Sequence, residues 1–287
     1  MILPTPIIIE KLKQFLTTLL NGGPNKLNKI EVKILNPEVI QESEKMMVCC
    51  ARLTQKGHNI KNLDDFMTLY NKDYTDKTVK GMSSLPHPTI QKFGVINVVV
   101  IGASRRFLAQ ITRHQNEIKF MSASLQYSDY SGEADFTVPY ELLNPENADM
   151  KTHYLETCES AMDDYMTMTS RGINNDTAGY AAPQGLRNIL VMSATPYQWK
   201  HMISQRICRR NTEETRYVML KIWEQLYKEN SVLFGNCGPF CMKGKCLEGK
   251  MCCQHFMNPD WTPSDILEID FPYITDINRT DEVTSNV

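Results

Sequence analysis

The sequence predicts an α+β fold in which a central sheet is packed by long helices. The clearest strand signal is residues 95–101, a short, almost entirely apolar run that is rich in β-branched residues. Apolar residues at helical spacing occupy three longer segments, residues 37–55, 154–170 and 199–227. With 287 residues, 42% of them hydrophobic, the chain can bury a substantial core.

The first elements of this core are a helix and a strand. The helix at 37–55 begins at Pro37, a residue type that is favoured in the first turn. The strand at 95–101 is apolar at nearly every position, which is typical of a strand covered on both faces of its sheet. Gly102 and Ser104 follow it, and Ser104 is placed to cap a helix that runs through Arg113.

The second half of the chain supplies the remaining elements. Further strands are predicted over residues 119–127 and 188–192, and Gly172 ends the helix at 154–170. Polar residues 209–216 interrupt the apolar stripe of the helix at 199–227, and we expect them to face a ligand or another subunit. Residues from about 257 onward contain several prolines and are expected to form a loosely packed extension.

Charge and composition exclude several classes of protein. A net charge of -2 and a pI near 6.3 argue against a general nucleic-acid binder, which needs excess Lys and Arg. Glu10, Lys11 and Lys13 interrupt the apolar N-terminus, which predicts an amphipathic helix rather than a signal peptide. No apolar run is long enough for a membrane helix. We therefore expect a soluble cytoplasmic protein, whose nine cysteines are reduced thiols or metal ligands.

Residues 104–128 contain the densest cluster of candidate ligand-binding side chains. The planar guanidinium of Arg113 can hold two phosphate oxygens, Gln110 lies one turn earlier, and His114 offers a ring. A nucleoside monophosphate is close to a dianion at pH 7 and needs several such donors. Taken alone, Arg113 and His114 fit a solvated helix face with a capping arginine better than a phosphate site. The other members of the cluster are Gln115, Ser124, Gln126 and Tyr127.

Further motifs make this cluster resemble the signature of the flavin-dependent thymidylate synthases, R-H-R-x-x-S-x-N-x-x-S-x-R-Y. The segment His87-Pro88-Thr89 resembles the family's H-x-[ST] element, and Gly102-x-Ser104-Arg105 resembles its G-x-S-R element. The family also has a helix with the pattern R-x(5)-Q-x-E-[IL]-R. The series Arg206, Arg210, Glu214 and Arg216 of this chain resembles that pattern. Residues 238–249 resemble a cysteine-bearing tail of some members, so the similarity extends over roughly residues 37–255.

Several positions depart from the family pattern. Gln115 and Gln126 replace arginines of the signature, and the stretch from Arg113 to Tyr127 is one residue longer. Gly179 stands where the family has an arginine that meets the nucleotide phosphate. Because charge-assisted hydrogen bonds are roughly twice as strong as neutral ones, we expect another basic residue to compensate. The candidates are Arg105, Arg106, Lys119 and Arg187.

The resemblance implies a role for each matching residue. Arg206 is expected to be catalytic, stabilising negative charge that develops on the pyrimidine. The residues implied for the nucleotide dUMP are Gln110, Arg113, Ser124, Leu125, Gln126 and Arg206. Those implied for FAD are Thr89, Arg113, His114, Gln115, Thr195, Tyr197 and His201, with His87 near the flavin or folate. Each also has an ordinary alternative as a capping residue or part of a solvated helix face.

The resemblance further implies a mostly antiparallel sheet and a homotetramer whose active sites lie between subunits. The implied reaction is methylation of dUMP at C5 to dTMP, with FAD, methylenetetrahydrofolate as carbon donor and NADPH as reductant. One alternative is a flavin- and folate-dependent hydroxymethylase or methylase of another pyrimidine nucleotide. Another is a homologue that binds flavin or nucleotide without catalysis. No nucleic acid or membrane partner is expected.

We divide the chain into an N-terminal extension (1–35), a catalytic domain (36–256) and a C-terminal tail (257–287). The catalytic domain includes a cysteine-rich segment, residues 237–253. Four soft ligands within it could satisfy tetrahedral zinc, although free or structural thiols fit their loose spacing at least as well. These weaker metal candidates are Cys237, Cys241, Cys246 and Cys252.

Overall fold

Four antiparallel strands form one sheet at the centre of the molecule. The computed structural model describes residues 30–274, apart from Pro86, Ser131, Glu133 and Asn236. The strands stand in the order β1-β2-β4-β3. Their bounds are β1 (Glu31–Ile34), β2 (Ile96–Ser104), β3 (Ile118–Ser122) and β4 (Arg187–Ala194). The predicted α+β class with an antiparallel sheet is confirmed.

Helices cover one face of this sheet. The helix Glu213–Glu229 buries Val218, Leu220 and Ile222 completely, in the same core as Val98 and Val100 of β2. In chain order the helices are α1 (Glu38–Lys56), α2 (Leu63–Tyr70), α3 (Asp76–Ser83), α4 (Arg105–Ile111), α5 (Ala148–Ser170), α6 (Asn175–Ala178), α7 (Pro196–Arg206), α8 (Glu213–Glu229), α9 (Ser231–Phe234) and α10 (Pro263–Asp270). In the part of the chain that the structure describes, no helix has the length and apolar character to cross a membrane.

The opposite face of the sheet is open among the residues that the structure describes. Side chains alternate between the two faces of a strand, and the exposed apolar ones that point outward include Ile101 (38% exposed), Ile189 (49%) and Met121 (74%). Within the described part of a single chain, the prediction that β2 is covered on both faces is therefore wrong. This face also carries the charged residues Glu31, Lys33 and Lys119, so its apolar part is a patch. Exposed apolar patches of this kind mark surfaces that another molecule covers.

Two predicted elements end earlier than expected. The strand predicted over 119–127 stops at Ser122, and the chain then turns, with the Ser128 N–H donating to the Ser124 carbonyl at 3.1 Å. The helix predicted over 199–227 is two helices, α7 and α8. Asn211 accounts for the break, because its amide donates to the carbonyl oxygens of Gln205 (2.7 Å) and Cys208 (3.4 Å) at the end of α7.

The region after residue 257 is packed rather than loose. Met257, Ile266 and Phe271 are at most 2% exposed and belong to the main core, so the predicted loose packing is wrong for residues 257–274. β1 likewise places residues 31–34 in the sheet, within the predicted N-terminal extension. The N-terminal amphipathic helix and residues 275–287 lie outside the described residues.

A second, smaller core supports the loop that follows β3. Tyr165 of α5 is fully buried beside Phe136 and Leu186, and its hydroxyl accepts a hydrogen bond from the Tyr130 N–H at 3.3 Å. Leu125 packs against the same cluster. The loop that carries the predicted nucleotide residues 124–126 therefore rests on α5 and α6 rather than on the main core.

Candidate functional site

Arg206, at the end of α7, is held by two neutral acceptors. Its Nε donates to Nε2 of His114 at 2.7 Å, and its Nη1 donates to Oδ1 of Asn211 at 3.3 Å. Within the described part of the chain, none of the ion pairs involves Arg206. The guanidinium is thus oriented without being neutralised.

A second guanidinium lies near the first. Burial and then the positive charge of Arg113 lower the pKa of Arg206. Arg113 follows α4 and is exposed, while Gln110 lies one turn earlier on that helix and is half-buried. Two cations brought together without a carboxylate create a local positive potential, which attracts an anion.

Three aromatic rings, those of His114, His201 and Tyr197, stand beside this pair of arginines. We call them the ring group. His114 is 8% exposed, and its ring meets the His201 ring edge-on at 6.1 Å between centroids. His201 in turn stacks on Tyr197 at 6.5 Å with an interplanar angle of 14°. Burial, followed by the charges of Arg206 and His201, lowers the pKa of His114 to about 4. At pH 7 His114 is therefore neutral, and its bond to Arg206 assigns the proton to Nδ1.

Glu117 links this region to the start of α7. Its carboxylate pairs with Lys92 and accepts a hydrogen bond from the Thr195 hydroxyl at 3.1 Å. Thr195 also caps α7 by accepting from the Gln198 N–H at 3.3 Å. Glu117 has a φ of 56°, in the left-handed region that costs energy for residues other than glycine and that clusters at functional sites.

The sequence did not single out Lys92 or Glu117 for this region, whereas Asn211 belongs to the segment 209–216 that was expected to face a ligand or another subunit. Lys92 lies with its Nζ 5.4 Å from the centre of the Tyr197 ring, a cation–π contact between residues that are far apart in sequence. The one available signal was the longer stretch between Arg113 and Tyr127, because Glu117 lies within it.

The remaining residues predicted for flavin lie at the margin of the ring group. His87 and Thr89 are exposed, and Gln115 is exposed next to His114. The short turn Pro88–Gln91 is tied to α7 because Nζ of Lys200 donates to Oε1 of Gln91 at 2.8 Å. These residues lie beside α7 and the ring group, without a hydrogen bond to Arg206 within the described chain.

The residues predicted for the nucleotide form a second group around the loop after β3. Gln126 is exposed and its N–H donates to the Ser124 hydroxyl at 3.1 Å. Leu125 packs so closely on Gly179 that a Cβ at position 179 would lie 3.1 Å from the Leu125 Cβ. An arginine at 179 would therefore require Leu125 to move. Among the described residues, no hydrogen bond or ring contact joins this group to Arg206.

Three residues of the polar segment 209–216 form contacts within the chain. Arg209 and Arg216 both pair with Asp270 of α10, and Glu214 accepts from the N–H and the hydroxyl of Ser104, each at 2.6 Å. The prediction that this segment faces a ligand or another subunit is wrong for Glu214 and Arg216, whereas Arg209 also lines the cavity beside Arg206. Their contacts fix the ends of the loop that follows Arg206.

A cavity of about 270 Å³ lies against Arg206, with the cysteine-rich segment as its other wall. The cysteines that line it are Cys208, Cys241, Cys246, Cys252 and Cys253. Cys237 lies elsewhere in the main core, where burial raises the pKa of its thiol to about 11. Across the described residues, no group of His, Cys, Asp or Glu is arranged to hold a metal ion, so the weaker zinc candidate is not assembled. All nine cysteines are free.

Comparison with known proteins gives the family. Residues 38–230 match the family model Thy1, described as thymidylate synthase complementing protein. The chain belongs to this family. The flavin-dependent thymidylate synthase of Pyrococcus abyssi is 25% identical over 174 residues, covering 58% of this chain and 70% of that enzyme. The enzyme of the same name from Geobacter sulfurreducens is 22% identical over 174 residues, covering 59% of this chain and 72% of that one.

Two solved structures share the fold of this Thy1 family member. A UMP/dUMP methylase, PolB from Streptomyces cacaoi bound with 5-Br dUMP, has a TM-score of 0.60 at 15% identity, covering 72% of this chain and 94% of that one. Thymidylate Synthase X from Helicobacter pylori, with FAD and dUMP, has a TM-score of 0.54 at 15% identity, covering 73% and 99%. The predicted family and its fold are confirmed. The cysteine-rich segment and Asp270 lie beyond the residues that match the Thy1 family model.

Proposed function

We propose that the protein is an FAD-dependent enzyme that methylates a pyrimidine nucleoside monophosphate at C5. The first candidate reaction converts dUMP to dTMP, with methylenetetrahydrofolate as carbon donor and NADPH as reductant. The observation that carries the proposal is the pair of unneutralised guanidinium groups, Arg113 and Arg206, beside the rings of His114, His201 and Tyr197. Membership of the Thy1 family supports it.

The side chains of the ring group fit a flavin. A planar isoalloxazine ring stacks on aromatic faces, and the stacked pair of His201 and Tyr197 presents such faces next to Lys92 and Thr195. FAD bound there would supply the redox chemistry. These four residues and His114 would bind and orient it.

Arg206 is the residue to which we assign the chemistry of the pyrimidine. A cation beside the base stabilises the negative charge that develops on the ring, and this makes C5 more nucleophilic. Arg206 can do so because His114 and Asn211 hold it as neutral acceptors. A carboxylate in either place would offset that charge.

The two groups of predicted residues suggest a site shared between subunits. Arg206 and Arg113 stand in one group, and Ser124 and Gln126 in the other. The outer face of the sheet carries an exposed apolar patch, with Ile101, Ile189 and Met121 among its residues. Assembly of a homotetramer would bring the loop of one subunit to the arginines of another. The open sheet face supports such assembly, because apolar patches of this kind mark protein interfaces.

A second candidate is the same chemistry on a different pyrimidine nucleotide, or hydroxymethylation in place of methylation. Gln126 and the close packing of Leu125 on Gly179 favour it, because they change the surroundings of the nucleotide phosphate. PolB, which shares this fold, is a methylase of both UMP and dUMP. The substrate therefore has to be tested over several nucleotides.

The test is release of tritium from C5-labelled dUMP, UMP and dCMP by purified protein with FAD, methylenetetrahydrofolate and NADPH. Product mass separates methyl from hydroxymethyl. We expect release with at least one nucleotide, and a loss of about 100-fold or more in Arg206→Ala with bound flavin retained. Arg171→Ala, at an exposed helix end far along the chain, is the matched control and should behave as wild type.

Two results would contradict the proposal. Protein that binds no flavin after reconstitution would remove the cofactor from it. Flavin-loaded protein that releases no tritium from any of the three nucleotides would identify a homologue without catalysis. Full activity of Arg206→Ala would refute the role given to that residue.

A further inference from the structure

The proposed nucleotide site has the neutral residues Gln126 and Gly179 at two positions where the resemblance to the family implies arginine. A phosphate monoester is close to a dianion at pH 7 and binds best to guanidinium groups, which donate two hydrogen bonds at once. Four cations can be compared as ligands of this phosphate: Arg105, Arg106, Lys119 and Arg187.

Three of them are placed unfavourably. Arg187 forms an ion pair with Asp135. Lys119 points away from the helical layer, since it alternates along β3 with the half-buried Ile118 and Phe120. Arg106 lies near the carboxylate of Glu214: burial raises the pKa of that carboxyl, and the hydrogen bonds from Ser104 and the charge of Arg106 partly oppose the rise.

Arg105 is placed differently, in a groove of about 530 Å³ between α4 and β3. The groove has polar donors at Arg105, Thr112, Ser122 and Gln184, and an apolar floor at Leu108, Ala109 and Phe120. No acidic residue is among its lining residues. Within the described residues, none of the ion pairs involves Arg105.

The groove lies next to the loop that carries the predicted nucleotide residues. Ser122 lines it and precedes Ser124 by two residues, which limits the distance between their Cα atoms to about 7 Å. On the other side of that loop Leu125 contacts Gly179, five residues before the groove residue Gln184. A nucleotide that touches Ser124 and Gln126 therefore has its phosphate within reach of the groove.

We propose that Arg105 binds the phosphate of the nucleotide in this groove. Phe120 offers an apolar surface, and Ser122 and Gln184 offer further donors. The assignment rests on the proposed function only in taking a pyrimidine nucleoside monophosphate as the ligand. It makes no claim about turnover.

The test compares binding of dUMP, UMP and dCMP with binding of the corresponding nucleosides to flavin-loaded protein, by isothermal titration calorimetry. In Arg105→Gln the Kd of the monophosphate should rise by about 10- to 100-fold, because a charge-assisted bond is lost. The Kd of the nucleoside should stay unchanged. Arg105→Lys should restore part of the affinity, and Arg106→Gln, one residue away, should match wild type.

The result that would overturn the proposal is unchanged monophosphate affinity in Arg105→Gln. An equal loss for nucleoside and monophosphate would also overturn it, because it would indicate a general disturbance of the fold. If monophosphate binding depends on Arg105 but no nucleotide releases tritium, the phosphate site stands and the proposed methylation fails. The two proposals can therefore fail separately.

Discussion

Arg206 depends on a single imidazole for its orientation. His114 accepts its Nε–H at 2.7 Å while contributing no charge, because burial and two neighbouring groups lower the imidazole pKa to about 4. A protonated imidazole would place a donor and a positive charge against the guanidinium. The neutral state of His114 and the charge of Arg206 are therefore coupled.

Replacing His114 should separate orientation of Arg206 from folding. In His114→Phe the ring remains but the acceptor is lost, so we expect kcat to fall by about 10- to 100-fold, the value of one hydrogen bond to a charged group. His114→Gln keeps an acceptor and should recover part of the rate. His153→Asn, exposed on α5, is the control and should match wild type. An unchanged kcat in His114→Phe would contradict the assigned role.

The lowered pKa of His114 also predicts how stability depends on pH. The unfolded imidazole takes up a proton near its ordinary pKa of 6.5, whereas the folded one does so near 4. Between these values the unfolded state binds more protons, so this contribution to stability is complete above pH 6.5 and is lost as the pH falls towards 4. Urea unfolding between pH 7 and 4 should therefore show a smaller loss in His114→Gln than in wild type. Equal losses would show that the pKa of His114 is not lowered.

The helix α4 shows how distant elements position the site. Its N-cap Ser104 accepts from the Phe107 N–H at 3.0 Å, and Ser104 is itself held by the carboxylate of Glu214 on α8. Gln110 lies on α4 and Arg113 directly follows it. The contact between Ser104 and α8 therefore fixes the orientation of the helix that carries them. The bulge at Gly102, with φ of 87°, turns β2 into this cap.

Glu214→Ala should loosen this connection. It leaves the N–H and hydroxyl of Ser104 without their acceptor, and we expect a loss of about 2–3 kcal/mol in the free energy of unfolding. Glu213→Ala, one residue earlier and exposed, should change it little. Urea denaturation of both variants is the measurement. Equal stabilities would contradict the role of Glu214 as an anchor for α4.

Elements with strong local signals were predictable from sequence. The helix α1 and the strand β2 appear where their apolar patterns placed them, because periodicity and a capping serine are local properties. The break between α7 and α8 was not predictable, because Asn211 reaches back to carbonyl oxygens that also suit a continuous helix. In the site, Arg206 and His114 came from motifs. Lys92 and Glu117 could not, because their contacts form only in the folded chain.

At the scale of the whole molecule, the helix α10 holds the loop that follows Arg206. Asp270 accepts from Arg209 at 2.6 and 3.1 Å and from Arg216, and it is 7% exposed at its side chain. Arg209 also donates to the His255 carbonyl at 3.2 Å. The segment beyond the family match therefore forms part of the framework of the site.

Asp270→Ala should be strongly destabilising, because it leaves Arg216 as a buried, unpaired cation. Breaking a buried pair from one side costs about 3–5 kcal/mol. Adding Arg216→Met should recover much of this loss, since an apolar residue removes the unpaired charge. Asp260→Asn, which is exposed, serves as the control, and thermal unfolding is the measurement. A double variant no more stable than Asp270→Ala would contradict this explanation.

The two residues of the ion pair between Arg216 and Asp270 are far apart in the sequence, so they are made at different times during synthesis of the chain. Asp270 follows Arg216 by 54 residues, so at about 5–20 residues per second the ribosome adds it roughly 3–11 s later. The strands and α8 are already made by then, but Arg216 has not yet met Asp270. Closure of the loop after Arg206 is therefore among the last steps by which the newly made chain acquires its site.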